Sequence, residues 1–545
     1  MDKQTMTNHE RRWLLVATLV VVLAANIPTL LGFLTAPSGT VYTGIDSTAP
    51  GDVNVYLSYL EQARQGNLVF RDLFTAESQT GTLFNPFWLA LGLLGGLLGL
   101  PPLLTYLLAR LALGFLLLLV IYWAAAFFLP DVRHRRTAWL LASLAGGVGA
   151  WAAPFIEAYF GNSPPGSAWP MDLWVSEAFT WLSLHHSPHF LAASILIVAT
   201  VVWLVQAAER SSWRPGLYAG VSMLLLYSFH PFHAVSLGVV TIAVLLVTVA
   251  LERQRIGRVL FIFGSAWLLA VSALAYQAWS VLRDPVGAGR AAQNILPTTW
   301  PWVTMVSYGF LLAAAIVGAS VLWRGKSFRQ RMLVAWGAAH LVAIYAPVFF
   351  NRRLTHGLNI VLALLAAPMV LKFFDWLKRQ RSVQQFQEAI ALSLFVVLFG
   401  LSPLWVYGQD LSFLLDRGRS WPYYFYLSTD YRDAIAWIRQ STPPDSVVLS
   451  SDITGNFIPA KAGRAVVIGH NVETLEFTRK RSELGQFFDT TTSDAWRRQW
   501  LVEQNADYLV VGPWETRLGS FAPAGAADLT IVFQRGTVTV YRVEN

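Results

Sequence analysis

The segment GDVNVYLSYLEQARQG, residues 51–66, holds the side chains whose types and spacing best suit chemistry on a substrate. Asp52 opens it, and Tyr56, Tyr59 and Leu60 follow at i+4, i+7 and i+8, on one face of a predicted surface helix. Carboxylates are common acid–base groups, and one at the head of such a helix reaches both lipid headgroups and water. The alternative is that Asp52 only caps the helix, since Asp is favoured at N-caps.

Three more carboxylates are candidates for contacting a substrate. Asp72 and Glu77 lie in RDLFTAE shortly after the predicted helix, and for Asp72 an ion pair with Arg71 is the alternative. Glu177 lies eight residues before His185. It is a candidate second carboxylate, or it belongs to a solvated face of the predicted helix MDLWVSEAFTWL.

Two adjacent arginines, Arg352 and Arg353 in FFNRRLTHGLN, lie at a predicted membrane edge. Arginine forks bind phosphate oxygens in pairs, so a phosphate site is one use of these cations. The alternative is that they reach lipid phosphates at the bilayer surface. Arg110 lies within a predicted span, where a charge is costly unless it is paired or faces a cavity. It is therefore either a structural partner or a further phosphate ligand.

Five histidines in SLHHSPHF and FHPFH fall at predicted ends of spans. Clustered histidines can ligate a divalent metal, but HHSPH has no diagnostic ligand spacing. Hydrogen bonding within the protein or contact with a substrate is the preferred interpretation. The candidate substrate-binding members are His185, His189, His230 and His233, and the fifth is His186. For a divalent cation, carboxylates and water around Mg²⁺ or Mn²⁺ are favoured over imidazoles.

The composition excludes a soluble globular protein. Only 13% of the 545 residues are charged, against about 25% in ordinary soluble domains, and 55% are hydrophobic. Residues 1–406 hold 26 Lys and Arg against 16 Asp and Glu, whereas residues 407–545 hold 14 against 16. The net charge of +8 therefore belongs to the apolar part, where loop cations set orientation, and does not indicate nucleic-acid binding. Cysteine is absent, which excludes disulfides, thiolate catalysis and cysteine-ligated metals.

Apolar runs and loop charges together predict eleven membrane spans. Six basic clusters belong in the cytoplasm by the positive-inside rule, so the chain must cross out and back between them. These clusters lie at 3–12, 133–136, 210–214, 253–258, 324–331 and 372–381. The predicted spans are 13–34, 102–128, 137–155, 188–207, 215–229, 234–251, 258–281, 301–323, 332–350, 358–374 and 385–405.

Residues 83–100 are apolar enough for a twelfth span, but a crossing there would invert every later loop. Pro86, Gly95 and Gly96 favour a re-entrant or interfacial hairpin instead. Twelve spans with one local violation of the charge rule is the alternative. In the eleven-span topology the N-terminus is cytoplasmic, and residues 35–101 form the first external loop. The first apolar run is predicted to be an uncleaved anchor rather than a signal peptide.

The tail, residues 407–545, predicts a small extracytoplasmic α/β domain. Helices are predicted at 433–441 and near 472–488 and 494–504, and strands at 446–450, 465–469, 507–512, 529–534 and 537–543. No Walker or G-x-G-x-x-G pattern is present, so nucleotide binding is unsupported. A lid, an acceptor-binding surface and a purely structural role stay open for this domain, whose polar positions include Gly455, Asn456, Gly463, Gly469, His470 and Glu473.

The chain resembles the C-type (GT-C) membrane glycosyltransferases in its long first external loop with an early Asp, about eleven spans and an external α/β tail. The segments GDVNVYLSYLEQARQG, DLFTAE, LFNPFW, SEAFTWLSLHHSPHF, NRRLTHGLN and ITGNFIPAKAGRAVVIGHNVETLEF are similar to a group of bacterial proteins of this kind. The resemblance covers nearly the whole chain and is specific for architecture rather than for substrate. It implies a mainly α membrane helical bundle at 1–406 and an extracytoplasmic α/β domain at 407–545.

The same resemblance implies a reaction, since GT-C enzymes take a sugar from a polyprenyl-phosphate donor. In that family the first-loop Asp is the catalytic base or a metal ligand, and Asp52 is the matching position. Arg352, Arg353 and Arg110 then become candidate ligands of the donor phosphate. The implied partners are the bilayer of a prokaryotic plasma membrane, the lipid-linked sugar and a glycan, lipid or protein acceptor. A divalent cation, Mg²⁺ or Mn²⁺, is the candidate cofactor, with Asp52 its candidate ligand.

Two other classes of function fit part of the sequence. A transporter or flippase for lipid-linked sugars is one, although no inverted repeat or pair of broken helices is visible and the external loops are large. A non-catalytic protein that binds a lipid-linked sugar through its tail is the other. Replacing Asp52 distinguishes an enzyme from such a scaffold, which should tolerate the change.

Overall fold

The computed structural model describes residues 6–161, 163–379, 387–416 and 422–544. Lys3, Arg381 and residues 385–386 of the last predicted span lie outside the described residues. Contacts group the chain into two compact units, each formed from three segments. The first unit consists of Met1–Pro28, Leu107–Gln277 and Leu296–Asp410, and the second of Thr29–Tyr106, Ala278–Ile295 and Leu411–Asn545.

The chain is mainly helical, as the sequence predicted. The α-helices are α1 Asn8–Leu34, α2 Asp52–Arg64, α3 Pro86–Leu97, α4 Pro102–Phe128, α5 Val132–Leu144, α6 Gly149–Phe160, α7 Thr180–His186, α8 Pro188–Arg210, α9 Trp213–Phe229, α10 His233–Leu251, α11 Ile256–Arg283, α12 Pro285–Gln293, α13 Pro301–Arg324, α14 Phe328–Ala343, α15 Leu358–Lys378, α16 Gln387–Phe395, α17 Leu401–Leu415, α18 Pro422–Phe425, α19 Thr429–Ser441, α20 Asp452–Ala462, α21 Phe477–Phe488 and α22 Asp494–Glu503. A π-helical turn, Val396–Gly400, joins α16 to α17.

Within the described residues, nine helical stretches are long and apolar enough to cross a membrane. They are Asn8–Leu34, Pro102–Phe128, Val132–Phe160, Pro188–Arg210, His233–Leu251, Arg253–Arg283, Pro301–Arg324, Asn351–Lys378 and Ala389–Leu415. Nine of the eleven predicted spans are thus confirmed by length and composition. The other two, α9 and α14, are helices of 17 and 16 residues. They rise about 24–26 Å, short of a hydrocarbon core of about 30 Å.

The predicted span 137–155 is interrupted between α5 and α6. The backbone N–H groups of Gly147 and Gly149 each donate to Oδ2 of Asp172 at 3.0 Å. A Cβ atom on Gly147 would lie 2.0 Å from the backbone oxygen of Ser307, so only glycine permits this approach. The break therefore has local causes in glycine and in a distant carboxylate, neither of which hydropathy reveals.

The last candidate span ends at Leu415, beyond the domain boundary predicted at 406/407. The predicted first loop, 35–101, also falls in the second compact unit together with the tail rather than with the bundle at 1–406. The segments grouped with the tail thus include Thr29–Tyr106 and Ala278–Ile295, which lie within the region 1–406.

Helix α3 has 12 residues, too few to cross a bilayer, as predicted for residues 83–100. It packs against α2, since a Cβ atom on Gly92 would lie 2.4 Å from Cβ of Ala63 and 2.9 Å from the backbone oxygen of Leu60. The Asn85 side chain caps α3 by accepting from the N–H of Trp88 at 3.3 Å. A glycine-permitted contact and a capped start therefore fix this short helix on α2.

The second unit contains two sheets. The smaller one pairs β1 Thr40–Tyr42 with β2 Tyr426–Ser428 in antiparallel register, and the sequence did not predict it. The larger one has the order β4-β3-β5-β7-β6. Its strands are β3 Val447–Leu449, β4 Ala465–Val466, β5 Tyr508–Val511, β6 Leu529–Arg535 and β7 Val538–Val543. Strand β3 pairs in parallel with β4 and β5, whereas β7 pairs antiparallel with β5 and β6. All five lie at predicted positions, which confirms the small α/β region.

Candidate functional site

The N-terminus of α2 presents Asp52, the first residue of the helix. Gly51 holds the N-cap position, so the alternative that Asp52 itself is the N-cap is wrong. The absence of a side chain at Gly51 allows the His470 ring to lie close to the helix start, because a Cβ atom at this position would lie 3.0 Å from Cδ2 of His470. The Asp52 side chain is 41% exposed, and its Oδ1 lies 3.0 Å from Nε2 of His470. Its Oδ2 accepts from the Tyr56 hydroxyl at 3.4 Å. The helix thus offers a carboxylate that is open to water yet held by two partners.

His470 is itself held by the loop that follows β4. Its Nδ1 accepts from the backbone N–H groups of Val472 and Glu473, each at 3.2 Å. Its ring edge packs against Phe74, with 6.1 Å between ring centroids. Because Nδ1 already accepts two N–H groups, the imidazole proton lies on Nε2 and faces Asp52.

A cluster of buried charges adjoins this pair. Nη1 of Arg290 donates to Glu473 at 2.7 Å and to the Tyr59 hydroxyl at 3.1 Å, and lies 3.8 Å from Oδ2 of Asp72. Asp72 is therefore beside Arg290, not in the predicted alternative pair with Arg71. Burial, together with the charge of Glu473, raises the pKa of Asp72 to about 8 despite Arg290. The buried Asp72 is thus the carboxyl of this cluster that is protonated near neutral pH.

The buried Asp72 predicts a pH dependence of stability. An unfolded aspartate titrates near 3.9, so between that value and about 8 the folded chain binds the extra proton. The unfolding free energy should therefore fall by about 1 kcal/mol per pH unit as the pH rises toward 8. Thermal melting in one detergent between pH 6 and pH 9 checks this. We expect a smaller fall in Asp72→Asn, which imitates the protonated acid, and an equal fall in both proteins would contradict the assignment.

Two other candidate substrate-binding residues of the first loop, Glu77 and Tyr56, contact side chains of the second unit. Glu77 pairs with Nζ of the buried Lys480 at 2.7 Å. Burial opposes ionisation of Glu77, but the hydrogen bonds from Lys480 and Thr75 outweigh it and lower the pKa. The Tyr56 ring stacks on Trp88, with 5.0 Å between centroids. Glu77 thus has a structural partner, whereas Tyr56 combines stacking with its bond to Asp52.

In the first unit, Arg110 is buried and serves as a structural partner. Its Nη1 donates to the backbone oxygen of His185 at 2.6 Å, and its Nη2 donates to the Asn26 side chain at 2.8 Å. The His185 ring contacts Asp410 through Nε2 and the backbone oxygen of Ala25 through Nδ1. Of the two roles left open for Arg110, these contacts favour the structural one.

Arg352 and Arg353 each lie over an aromatic ring. The Arg352 guanidinium carbon is 4.5 Å from the Trp174 ring centre, and that of Arg353 is 4.9 Å from the Phe232 ring centre. Within the part of the chain that the structure describes, Arg353 has no carboxylate partner at ion-pair distance. A half-buried guanidinium on an aromatic face, with no internal counter-ion, is suited to an external anion.

Four buried histidines lie ring beside ring in the first unit, close enough to Arg353 to feel its charge. Ring centroids lie 5.1 Å apart for His189 and His230, 5.3 Å for His230 and His233, and 5.0 Å for His233 and His356. Among the described residues, neither ring nitrogen of His233 has a hydrogen-bond partner, and Nδ1 of His230 and of His356 also lacks one. Buried polar atoms of this kind require a water molecule or a ligand. His356 is a member that the sequence analysis missed.

The segment between α6 and α7 contains two carboxylates, Asp172 and Glu177. The sequence analysis named only Glu177 as a candidate site residue. Glu177 is half-buried and makes no hydrogen bond or ion pair within the described residues. Asp172, which the sequence analysis did not single out, is fully buried against Gly147 and Gly149, and burial raises its pKa to about 7. Its contacts are those of a structural acid that supports the break before α6.

No three or more His, Asp or Glu side chains are arranged to hold a metal ion, across the ranges that the structure describes. Asp52 and His470 supply only two such ligands. The described residues therefore offer no complete protein ligand set for the predicted Mg²⁺ or Mn²⁺.

Comparison with known proteins gives a fold. No protein-family profile matches the sequence, and no curated protein matches it. Among solved structures, the archaeal oligosaccharyltransferase AglB from Archaeoglobus fulgidus, in complex with an inhibitory peptide and a dolichol-phosphate, is 14% identical, with a TM-score of 0.55 over 93% of this chain and 70% of that one. An A. fulgidus oligosaccharyltransferase complex with Zn and sulfate is 16% identical, with a TM-score of 0.50 over 90% and 68%.

ArnT from Cupriavidus metallidurans, bound to undecaprenyl phosphate, is 13% identical, with a TM-score of 0.45 over 96% of this chain and 98% of that one. AglB is a GT-C enzyme. Its TM-score of 0.55 over 93% of this chain shows that the chain shares the fold of the GT-C membrane glycosyltransferases.

Proposed function

We propose that this protein is a membrane glycosyltransferase that moves a sugar from a polyprenyl-phosphate donor to an acceptor at the external face of the plasma membrane. The observation that carries the proposal is the fold shared with AglB over 93% of the chain. Its support from side chains is the half-exposed, hydrogen-bonded Asp52 in the second unit and, in the first, Arg353, which has no ion-pair partner within the described ranges. The acceptor is a hydroxyl or amide of a glycan, lipid or protein.

In this proposal Asp52 is the catalytic base. It takes the proton from the acceptor nucleophile, which attacks the anomeric carbon of the donor sugar as the bond to the phosphate oxygen breaks. A sugar–acceptor bond forms, and the lipid phosphate leaves with the bonding electron pair. The exposed position of Asp52 at the start of α2 leaves it accessible to an acceptor.

Arg352 and Arg353 are proposed to bind the donor phosphate, whose negative charge grows as the sugar departs. Among the described residues, Arg353 has no carboxylate at ion-pair distance. The histidine cluster is defined as His189, His230, His233 and His356. Both ring nitrogens of its member His233 lack a partner in the described chain, so this ring can donate one N–H to a phosphate oxygen. Arg110 is not used as a donor ligand in this scheme, since both of its Nη atoms donate to protein oxygens.

A binding measurement tests the donor class. Undecaprenyl phosphate should raise the melting temperature of the detergent-solubilised protein, because a ligand at about 100 times its Kd adds about 2.7 kcal/mol of stability. Undecaprenol, which has the same chain without the phosphate, is the matched control and should add much less. Equal stabilisation by both lipids would mean that the phosphate is not recognised, and would refute the donor assignment.

The proposed orientation, with a cytoplasmic N-terminus and an external C-terminal domain, is tested by cysteine labelling. The sequence contains no cysteine, so single cysteines carry no background. Cysteines at Gln254 and Ser327 should resist an impermeant thiol reagent in intact cells, whereas cysteines at Ala288 and Thr490 should react. All four positions are exposed in the structure, so burial does not explain protection. Reaction at 254 or 327 without prior lysis would reverse the assignment.

A further inference from the structure

The tail contacts the start of α2 at three neighbouring residues. His470 bonds to Asp52, and the Asn456 side chain accepts from the Asn54 amide at 2.7 Å while donating to the backbone oxygen of Gly51 at 3.3 Å. Asn54 and Asn456 are each 1% exposed or less. Buried amides that satisfy each other fix the backbone they bind, so the tail determines where α2 begins.

The loop that carries His470 is closed by its own hydrogen bonds. Thr474 Oγ1 accepts from the N–H groups of Gly469 and His470 at 3.0 and 3.2 Å, and donates to the backbone oxygen of Phe74 at 2.6 Å. The N–H of Thr474 returns to the backbone oxygen of His470 at 2.8 Å. This loop is therefore a firm support for the imidazole, and His470 is only 5% exposed.

The hydrogen-bond pattern restricts what His470 can do. With two backbone N–H groups on Nδ1, a second proton there would face two donors, so the ring stays an Nε2–H donor toward Oδ1 of Asp52. Such a bond orients the carboxylate. His470 cannot relay protons through Nδ1 without losing both backbone bonds.

We propose that His470, supported by Asn456, is a positioning residue that holds the Asp52 carboxylate in its working orientation, which assigns this function to the C-terminal domain. The inference rests on the proposed function, in which Asp52 is the base. The domain is then neither a lid nor only a structural appendage. It supplies the shorter of two hydrogen bonds that orient the exposed carboxylate at the head of α2, the other coming from the Tyr56 hydroxyl at 3.4 Å.

Two substitutions distinguish positioning from simple filling of space. His470→Gln places an amide N–H near the position of Nε2 and should keep turnover within about 5-fold of wild type. His470→Phe keeps the ring that packs on Phe74 but has no donor, and should lower turnover by roughly 10- to 100-fold, the value of one charge-assisted hydrogen bond. Binding of undecaprenyl phosphate should change less than about 2-fold in both. Asn471→Ala, at the exposed neighbouring position, is the control.

Hydrogen–deuterium exchange provides a readout that needs no activity. His470→Phe should speed amide exchange at residues 51–56, and His470→Gln should leave it near the wild-type rate. If Phe keeps turnover and slow exchange, or if Gln and Phe lose turnover equally, the positioning inference is wrong. If the wild type shows no turnover, or Asp52→Asn keeps it, the proposed function fails instead, and exchange at 51–56 still reports whether His470 fixes α2.

Discussion

Asp52→Asn is expected to lower sugar transfer by about 10²–10⁴-fold, the usual loss when a catalytic acid–base group is removed. The substitution takes away the charge that accepts the proton and changes little else. Asn still has an oxygen for the Nε2–H of His470, and the N-cap of α2 is Gly51, so the helix start is preserved. Initial rates of donor consumption by purified, reconstituted protein measure the effect.

Asp494→Asn is the matched control for this prediction. Asp494 is the first residue of α22 as Asp52 is of α2, lies in the same unit, and is 76% exposed. It should keep wild-type transfer and differ only slightly in stability. If Asp52→Asn transfers sugar as fast as Asp494→Asn does, Asp52 is not the base, and the scaffold interpretation gains support.

Replacing both Arg352 and Arg353 by alanine is expected to weaken binding of undecaprenyl phosphate by about 100-fold or more, since two charge-assisted contacts are lost. Single lysine variants keep the charge but lose the planar fork, so they should lose about 1–2 kcal/mol each. Titration of detergent-solubilised protein, followed by the fluorescence of Trp174 and its neighbours, gives the affinities.

Arg214→Ala controls for the loss of an arginine stacked on an aromatic ring, because Arg214 lies 5.9 Å from the Trp213 ring centre in the same unit. It should leave the affinity unchanged. Unaltered binding in the double alanine variant would exclude these arginines from the phosphate site and would favour the alternative that they only contact lipid headgroups.

The sequence was most informative where a periodic pattern agreed with its surroundings. Apolar runs bounded by arginines located nine long helices, and alternating β-branched residues located all five strands of the larger sheet. Prediction from the sequence failed where tertiary contacts, rather than local propensity, determine the secondary structure. Helix α20 contains Gly455 and Pro459, both poor helix formers, yet it forms because Ser451 caps it and Gly455 packs against the backbone oxygen of Ile468.

The same limit applies to the site. The proposed base, Asp52, is suggested by its position before a helical face, and the proposed phosphate ligand, Arg353, by its place at a predicted membrane edge. The partner of Asp52 was not, because His470 is 418 residues away along the chain. The sequence does mark His470 as unusual, since it is the one histidine of the predicted tail and lies in the segment Gly-His-Asn. Its pairing with Asp52 across such a separation cannot be derived from a local pattern.

Arg110 shows the converse case, in which a residue type suggested chemistry that its contacts do not support. A buried arginine in a span must find acceptors, and either phosphate or protein carbonyls satisfy that need. The oxygens of His185 and Asn26 take this role. Charge placement alone could not distinguish the two, whereas the contacts of the Arg110 Nη atoms favour the structural role.

The consumption of a lipid-linked sugar tests the central claim most directly. Proteoliposomes containing the wild type, or Asp52→Asn, would be supplied with polyprenyl-phosphate-linked sugars and envelope acceptors extracted from bacterial membranes, and the lipids followed by mass spectrometry. The account predicts that the wild type depletes one lipid-linked sugar and releases an equal amount of polyprenyl phosphate, while Asp52→Asn does neither. Movement of intact lipid-linked sugar between leaflets without release of polyprenyl phosphate would instead identify a flippase and contradict the account.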